Sequence, residues 1–322
     1  MIPTDTPHIP VLLREVLAAL APQPSGVYID GTFGAGGYSR AVLEAAPDSV
    51  LYTIDRDPSA IKTAEILAKD YGSRLIPVQG CFGDMDTLLP EMRGKIDGVM
   101  LDIGVSSMQI DDAERGFSFQ RDGALDMRMD PESGQSAADL VNTLPEEELA
   151  DILYRYGEER KSRRIAQKIV AARQEEKITT TAQLAAIIRT ALPPKRPDRI
   201  DPATRSFQAL RIAVNDELGE LERGLAAATR MLKPGGILAV VTFHSLEDRI
   251  VKNFFRDHSA PKTHVSRYSK TEQAAAQATE ESFPLRLDMR KPVTPEKDET
   301  AANPRARSAR LRIAQRSSAP FP

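Results

Sequence analysis

The sequence has very little cysteine and no long hydrophobic run. Cys81 is the only cysteine in 322 residues, which excludes an internal disulfide framework. No CxxC pair or His/Cys cluster offers the spacing of a metal site, so we predict no bound metal. No apolar segment approaches the roughly 20 residues that span a bilayer, and residues 1–10 lack the basic and apolar parts of a signal peptide. We therefore expect a cytoplasmic protein without a membrane segment.

The chain also has no net excess of positive charge, but basic residues are concentrated in a few segments. The net charge of −3 argues against wholesale coating of nucleic acid. Residues 160–177 nevertheless contain seven basic and two acidic residues, and residues 189–205 contain five and two. Such runs predict phosphate contacts, although a solvated helix face explains the first run equally well. The predicted RNA contacts are Arg160, Arg163, Arg164, Lys195 and Arg196.

Short strand-like runs alternate with helical patterns in the first hundred residues. The runs are Val27–Asp30, Val50–Asp55, Leu75–Gln79 and Gly98–Ile103. This alternation predicts parallel strands in a doubly wound, Rossmann-like α/β sheet, whose ligands bind at the carboxyl ends of the strands. A hydrophobic content of 41% is enough for a normal core.

The middle of the chain has a different character. Residues 114–204 contain helical patterns and no convincing strand, which predicts an all-helical subdomain inserted into the sheet domain. A long helix over about 205–232 and an apolar run at 237–243 then resume the sheet, and 309–314 resembles a last strand. We therefore predict a discontinuous domain, 1–113 with 205–322, and a helical insert, 114–204. Residues 261–304 are predicted to be loop-like.

A glycine-rich segment follows the first predicted strand. Gly31, Gly34, Gly36 and Gly37 fall within seven residues, so the backbone there can adopt positive φ and approach a ligand closely. Both dinucleotide-binding proteins and S-adenosylmethionine (SAM) methyltransferases use such a loop. Ser39 stands where a dinucleotide fingerprint requires its third glycine, which weakens the dinucleotide interpretation.

Carboxylates at two strand ends extend this predicted site. Asp55 closes the second strand 19 residues after Gly36, where it can accept hydrogen bonds from ribose hydroxyls. Asp57, followed by Pro58, is the better helix cap, which leaves Asp55 for a ligand. Phe82 could lie beside an adenine or belong to the core. Asp102 lies close to the end of the fourth strand, where it could hold a cofactor ammonium or a substrate amine.

Eight sequence blocks, in order along nearly the whole chain, resemble the MraW family, also known as RsmH, which methylates N4 of a cytidine in small-subunit ribosomal RNA. The blocks are Asp30–Ser39, Leu101–Ser107, Asp111–Phe119, Leu125–Asp130, Tyr156–Arg160, Ala203–Arg211, Phe243–Val251 and Asn303–Arg307. The resemblance implies a class I SAM-dependent methyltransferase fold with a helical insert. It also implies SAM as cofactor, and a decoding-region cytidine of 16S ribosomal RNA or of the small ribosomal subunit as target.

The resemblance further implies a set of cofactor contacts. They are Gly36, Gly37, Tyr38, Asp55, Phe82, Asp102 and Gln109. Tyr38 stands where histidine is common in the family, and Asp201 also replaces an expected histidine. The second departure makes substrate contacts near Asp201 less secure.

Methyl transfer from a sulfonium requires alignment more than strong acid or base groups. Cytosine's amino nitrogen is a poor nucleophile, so an acceptor for its proton would help, and Asp102 and His244 are the candidates for this catalytic role. The chain lacks the Asp-Pro-Pro-Tyr platform of many amino-methyltransferases. Base stacking would then come from Phe243, Phe117 or Phe119. Ser245, three residues before Asp248, is predicted to cap the following helix.

Two other classes of function remain open from the sequence. The chain could be a methyltransferase of a protein or small molecule, for which its acidic charge would be natural. It could also be a non-catalytic protein that uses the pocket for sensing or assembly. The residues do not decide between a monomer and a homodimer.

Overall fold

The structure, a computed structural model, describes residues 10–192, 201–261, 281–287, 289 and 291–321. They fall into two compact units, residues 1–104 with 218–322 and residues 105–217. The second unit is longer than the predicted insert, 114–204, at both ends. Among the described helices, none combines the length and the apolar character needed to cross a bilayer.

The first unit contains a seven-stranded sheet. Its strands, in chain order, are β1 Val27–Asp30, β2 Val50–Asp55, β3 Leu75–Gln79, β4 Ile96–Asp102, β5 Leu232–Thr242, β6 Leu285–Arg286 and β7 Arg310–Arg316. The order across the sheet is β3-β2-β1-β4-β5-β7-β6, and β7 is antiparallel to both of its neighbours. The predicted doubly wound α/β fold is therefore confirmed, including the strand after residue 309.

Helices cover both faces of this sheet. They are α1 Leu13–Leu20, α2 Gly37–Ala45, α3 Pro58–Tyr71, α4 Met85–Leu88, α11 Glu217–Met231, α12 Ser245–Asp257 and α13 Lys297–Ala302. Because side chains alternate along a strand, Tyr28 joins the core on one face while Ile29 joins the core on the other. Burial on both faces explains the apolar runs at residues 98–101 of β4 and 237–241 of β5.

The second unit consists of helices around their own core. They are α5 Ser107–Asp111, α6 Ala137–Thr143, α7 Glu146–Gly157, α8 Ser162–Glu175, α9 Thr181–Ala191 and α10 Thr204–Asn215. Leu153 of α7, Ile165 of α8 and Leu210 of α10 are fully buried in this core. The last helix therefore belongs to the packing of the second unit, which carries this unit beyond residue 204.

Two predictions about regular structure are wrong. The expected single helix over 205–232 is broken at Asp216, whose backbone is left-handed with φ 48°. Asn215 explains the break, because its side chain donates to the Met127 carbonyl at 2.7 Å and accepts from the Met129 amide at 2.7 Å, which fixes the end of α10. The region 261–304, expected as loop, contains β6 and α13 within its described residues.

A buried ion pair attaches the antiparallel strand β7 to α12. Both carboxylate oxygens of Asp248 are engaged: Arg312 Nε lies 2.7 Å from Oδ1, and Arg310 Nη1 lies 2.7 Å from Oδ2. Burial alone would raise the pKa of Asp248, but the two guanidinium groups hold this pKa below its ordinary value. Asp248 is therefore a buried anion whose charge is balanced inside the fold.

We expect Asp248→Asn to lower the free energy of unfolding by about 3–5 kcal/mol, because it leaves the buried Arg312 without its countercharge. Asp257→Asn is the matched control, since Asp257 pairs with Arg256 while both side chains are more than half exposed, and it should cost about 1 kcal/mol or less. Urea unfolding measures both. Equal losses in the two variants would contradict the role given to Asp248.

Candidate cofactor-binding and catalytic site

The glycine loop connects β1 to α2 and presents backbone rather than side chains. Gly36 has φ 78°, and a Cβ atom there would lie 2.6 Å from the ring of Phe33. Among the described residues no acceptor is paired with the amides of Gly37 and Tyr38, which open α2, as the geometry of a first helical turn requires. The loop thus offers free donors where a side chain would not fit, which suits an electron-rich ligand.

The carboxylate of Asp30 accepts hydrogen bonds from the glycine loop and from α2. Its Oδ2 atom accepts from the Ser39 hydroxyl at 2.7 Å, and Oδ1 accepts from the Thr32 amide at 3.2 Å. Burial is the main reason that the pKa of Asp30 rises to about 6, against the lowering effect of these hydrogen bonds. The serine at position 39 is therefore a buried partner of Asp30, which accounts for its presence where a dinucleotide fingerprint has glycine.

The side chain of Tyr38 points into the core. It is 5% exposed, and its hydroxyl donates to the backbone carbonyl of Val11. Burial raises the pKa of this phenol well above its ordinary value. A cofactor contact at Tyr38 would thus use its backbone amide, and the predicted contact stays a prediction.

Asp55 lies at the carboxyl end of β2, beside the glycine loop. Its Oδ2 accepts from the Gly34 amide and its Oδ1 from the Asp57 amide, both at 2.9 Å. Burial raises its pKa. Asp57 caps α3 by accepting from the Ser59 amide, as predicted, so Asp55 is not the cap. Each Asp55 oxygen retains a second lone pair with which it can accept from a ligand hydroxyl.

Phe82 follows β3 and is half-buried. Its ring packs on α11, where a Cβ atom at Gly224 would lie 2.4 Å from two ring carbons. The ring also contacts the core on that face of the sheet. Phe82 is therefore partly a core residue, and its predicted contact with the cofactor stays a prediction.

Asp102 ends β4 and carries an unsatisfied acceptor. Its backbone amide donates to Thr32 Oγ1 at 2.7 Å, which ties it to the glycine loop. Its Oδ1 atom is buried and has no hydrogen-bond partner among the described residues. Burial first, and then the charges of Asp30 and Glu247, raise its pKa to about 8. A buried acceptor without a partner is costly, so this atom marks a position where a ligand donor is expected.

His244 and Glu247 form the turn between β5 and α12. The Nδ1 atom of His244 accepts from the Glu247 amide at 3.4 Å, and Glu247 Oε2 accepts from the amides of Phe243 and His244. His244, rather than Ser245, is therefore the helix cap, and the predicted capping box was displaced by one residue. The Nε2 atom of His244 lies 2.9 Å from Glu247 Oε1. With Nδ1 accepting, the neutral ring carries its proton on Nε2.

The three candidate stacking residues have different surroundings. Phe119 packs edge-on against Phe207 at 4.7 Å, and the ring of Phe117 lies under the guanidinium of Arg115. Phe243 follows β5, and its ring comes within 3.6 Å of a Cβ position at Gly104, two residues after Asp102. Only Phe243 of these three shares a unit with Asp102.

The remaining predicted site residues lie in the second unit or outside the described chain. Gln109 is buried, and its Oε1 accepts from the Ser106 amide in the capping box of α5; its predicted cofactor contact stays a prediction. Arg163 and Arg164 are exposed on α8, and Arg160 is exposed just before it. Lys195 and Arg196 lie outside the described residues.

Several site residues were not singled out from the sequence. Asp30 and Thr32 are part of a quoted motif but are not predicted individually. Glu247 is not predicted because the helix cap is predicted at Ser245 instead of His244. A carboxylate three residues after His244 was the available signal, since an N3 Glu reaches back to its cap residue.

Comparison with known proteins gives strong matches over nearly the whole chain. The family model described as the MraW methylase family matches residues 5–317. A ribosomal RNA small subunit methyltransferase H of Paramagnetospirillum magneticum is 58% identical over 315 residues, which cover 98% of this chain and 97% of that protein. The protein of the same name from Granulibacter bethesdensis is 59% identical over 307 residues, covering 95% and 90%. The solved structure of an rRNA methylase from Streptococcus thermophilus superimposes with a TM-score of 0.42 at 8% identity, covering 97% of this chain and 100% of that one.

The raised pKa of Asp102 predicts a specific dependence of stability on pH. The folded protein keeps this proton up to about pH 8, whereas an unfolded Asp loses it near pH 4. The stabilisation from this group is therefore complete below about pH 4 and is lost as pH rises to about 8. Relative to Asp102→Asn, which cannot ionise, the wild-type free energy of unfolding should fall by up to about 1.4 kcal/mol per pH unit.

Denaturant unfolding of both proteins at pH 5, 6, 7 and 8 measures this difference. Asp30 titrates in both proteins, but its charge raises the pKa of Asp102 only in the wild type, so this coupling is part of the measured difference. A difference between the two proteins that does not change over this range would show that Asp102 ionises normally.

Proposed function

The chain belongs to the MraW methylase family, and on that premise we propose that it methylates small-subunit ribosomal RNA, with SAM as donor and N4 of a decoding-region cytidine as acceptor. The observation that carries the proposal is the buried, unpartnered Oδ1 of Asp102 beside the glycine loop. The relatives named above are methyltransferases of small-subunit ribosomal RNA, which supports the substrate class. The nucleoside and the atom rest on the resemblance of the sequence blocks.

The residues at the strand ends fit the parts of SAM. Gly36 permits the left-handed backbone of the loop beside the Phe33 ring, and the amides of Gly37 and Tyr38 suit the carboxylate of the methionine moiety. Asp55 retains lone pairs for the ribose hydroxyls, and Phe82 offers a ring face to the adenine. When bound, SAM supplies an electrophilic methyl group on a sulfonium.

Asp102 is the better candidate for the proton acceptor at N4. Its free Oδ1 can accept an N–H of the cytosine amino group, which orients the nitrogen lone pair and then takes up the released proton. His244 is less suited, because Nδ1 already accepts from the Glu247 amide and Nε2 carries the proton of the neutral ring. We therefore assign His244 to the turn and proton acceptance to Asp102.

Phe243 is the best candidate for holding the base. After Asp102 the chain continues with Ile103 and Gly104, so it lacks the Pro-Pro-Tyr that follows this aspartate in many amino-methyltransferases. The ring of Phe243 comes within 3.6 Å of the Cβ position at Gly104, so it lies close to the end of β4. A base must leave its stack to reach the methyl group, and an aromatic ring replaces the lost stacking.

RNA phosphates would bind the basic surface of α8. Arg163, Arg164 and Lys168 are exposed there, while Ile165, Ala166 and Ile169 face the core of the unit. None of these three cations forms an ion pair with a carboxylate of the described residues. Exposed cations without carboxylate partners are available to phosphates, and the contact should weaken with salt.

The decisive experiment is methyl transfer from labelled SAM to small-subunit particles that lack the modification, followed by nucleoside analysis. We expect N4-methylcytidine, and we expect Asp102→Ala to lower the rate by about 100-fold or more, since proton acceptance typically contributes that much. The matched control is Asp86→Asn, which removes a buried carboxylate that pairs with Arg230 away from the strand ends.

Tight SAM binding without transfer to particles or to naked RNA would refute the RNA substrate. Transfer to a protein or small-molecule fraction would then favour the alternative substrate class. Binding without transfer to any fraction, even in a single turnover, would favour a non-catalytic role.

The role of α8 predicts a change in salt dependence. Each phosphate contact contributes about 0.7 to the slope of log affinity against log salt for a single strand. Replacing both Arg163 and Arg164 by Ala should therefore lower the slope by about 1.4 for a decoding-region RNA. Arg155→Ala on α7 is the control, because Arg155 is equally exposed but pairs with Asp151. An unchanged slope in the double variant would refute the contact.

A further inference from the structure

Three adjacent strands of the sheet end at a carboxylate, and a fourth carboxylate follows the next strand. Asp55 ends β2, Asp30 ends β1 and Asp102 ends β4, and these strands are neighbours in that order. After the next strand, β5, the carboxylate of Glu247 in the first turn of α12 accepts from the amides of Phe243 and His244, the two residues that follow the strand. The carboxylate of Asp102 therefore lies between Asp30 on one side and Glu247 on the other.

No cationic side chain balances the central part of this row. Among the described residues, no Lys or Arg forms an ion pair with Asp30, Asp102 or Glu247. Glu247 has no exposed surface, and its Oε1 has no aligned hydrogen-bond partner, although His244 Nε2 lies 2.9 Å away. Asp248, one residue later, shows the contrast, because two arginines neutralise it. Apart from the His244 ring beside Glu247, no described basic side chain therefore pairs with these three carboxylates.

Closely spaced buried carboxylates cannot all be ionised, because each charge disfavours the next in a medium of low dielectric. Asp102 is the carboxyl group of this row that takes up a proton. Burial, then Asp30, then Glu247 raise its pKa to about 8, and the phenol of Tyr38 on α2 also faces it. A protonated Asp102 cannot accept a proton, so the empty protein holds its acceptor in the inactive form at neutral pH.

We propose that Glu247 is a positioning residue that adds to burial and to Asp30 in keeping Asp102 protonated in the empty protein, so that the arrival of a cationic cofactor expels the proton and creates the acceptor. The inference rests on the proposed function, because it takes SAM as the cation. Glu247 contributes through its charge and its fixed place at the end of β5, without touching the reacting atoms. Cofactor binding and activation of the acceptor are thereby one event.

The test is the number of protons released on cofactor binding, measured by calorimetry at pH 7 in two buffers of different ionisation enthalpy. With a pKa near 8, the wild-type protein should release about 0.9 proton when it binds SAM. S-adenosylhomocysteine carries the same amino and carboxyl groups but lacks the sulfonium charge, so it should release clearly less. The difference between the two ligands isolates the effect of that charge.

Variants separate the charge of Glu247 from its structural contacts. Glu247→Gln keeps an oxygen for the two amides and removes the charge. It should therefore lower the pH midpoint of the Asp102 titration by about one pH unit. The number of protons released on SAM binding at pH 7 should then fall to about 0.5. Asp102→Asn should abolish the difference between the two ligands. Asp86→Asn, a buried carboxylate elsewhere, should behave like wild type. Glu247→Asp keeps the charge, so the pH midpoint of the Asp102 titration should be that of the wild type. If Glu247 acted only through its structural contacts, its charge would not affect this midpoint.

Two results would overturn the inference: wild-type release no greater for SAM than for S-adenosylhomocysteine, or the same midpoint in Glu247→Gln as in wild type. If Glu247→Gln does not fold, the carboxyl ¹³C resonance of Asp102 in the wild type gives the answer, since it should titrate near pH 8 without SAM and be ionised at pH 7 with SAM. Failure to bind SAM would instead refute the proposed function. SAM binding and RNA methylation without excess proton release would refute the inference alone.

Discussion

The hydrogen bonds of one buried carboxylate, Asp30, organise the candidate site. Asp30 accepts from Ser39 at the start of α2 and from the Thr32 amide in the glycine loop, and Thr32 in turn accepts from the amide of Asp102. These contacts connect β1, the loop, α2 and β4 at one edge of the sheet. A movement of the loop would leave the buried oxygens of Asp30 without their hydrogen bonds, which is costly.

The parallel sheet explains why charge accumulates at this edge. Parallel strands bring their carboxyl ends together, and both faces of the sheet are covered, so polar groups at the ends are partly withdrawn from water. Asp102, at the end of β4, and Asp248, in the first turn of α12, have opposite surroundings. Asp248 is neutralised by the arginines of β7 and stabilises the fold, whereas Asp102 has no cation beside it and is left for chemistry. The difference lies in the partner and not in the residue type.

Tyr38, Ser39 and His244 show where sequence reasoning is insufficient. The motif indicated that residues 36–38 approach a ligand, but the direction of the Tyr38 side chain depends on Val11, which is 27 residues away. Ser39 looked like a departure from a fingerprint and is a partner of Asp30. His244 and Ser245 are adjacent and both precede a carboxylate by three residues, so the pattern alone did not decide which of them caps α12.

The sequence alone determined the alternation of strands and helices, the glycine loop, the carboxylates at strand ends and the family, because these are expressed in local periodicity, in backbone freedom and in motifs read along the chain. Only the tertiary structure decided where α10 ends, which residue caps α12, and which carboxylate has a cation beside it. Those properties depend on residues distant in sequence, such as Asn215 with Met127 or Asp248 with Arg312. The ionisation of Asp102 belongs to this second group, since burial and the charges of Asp30 and Glu247 determine its pKa.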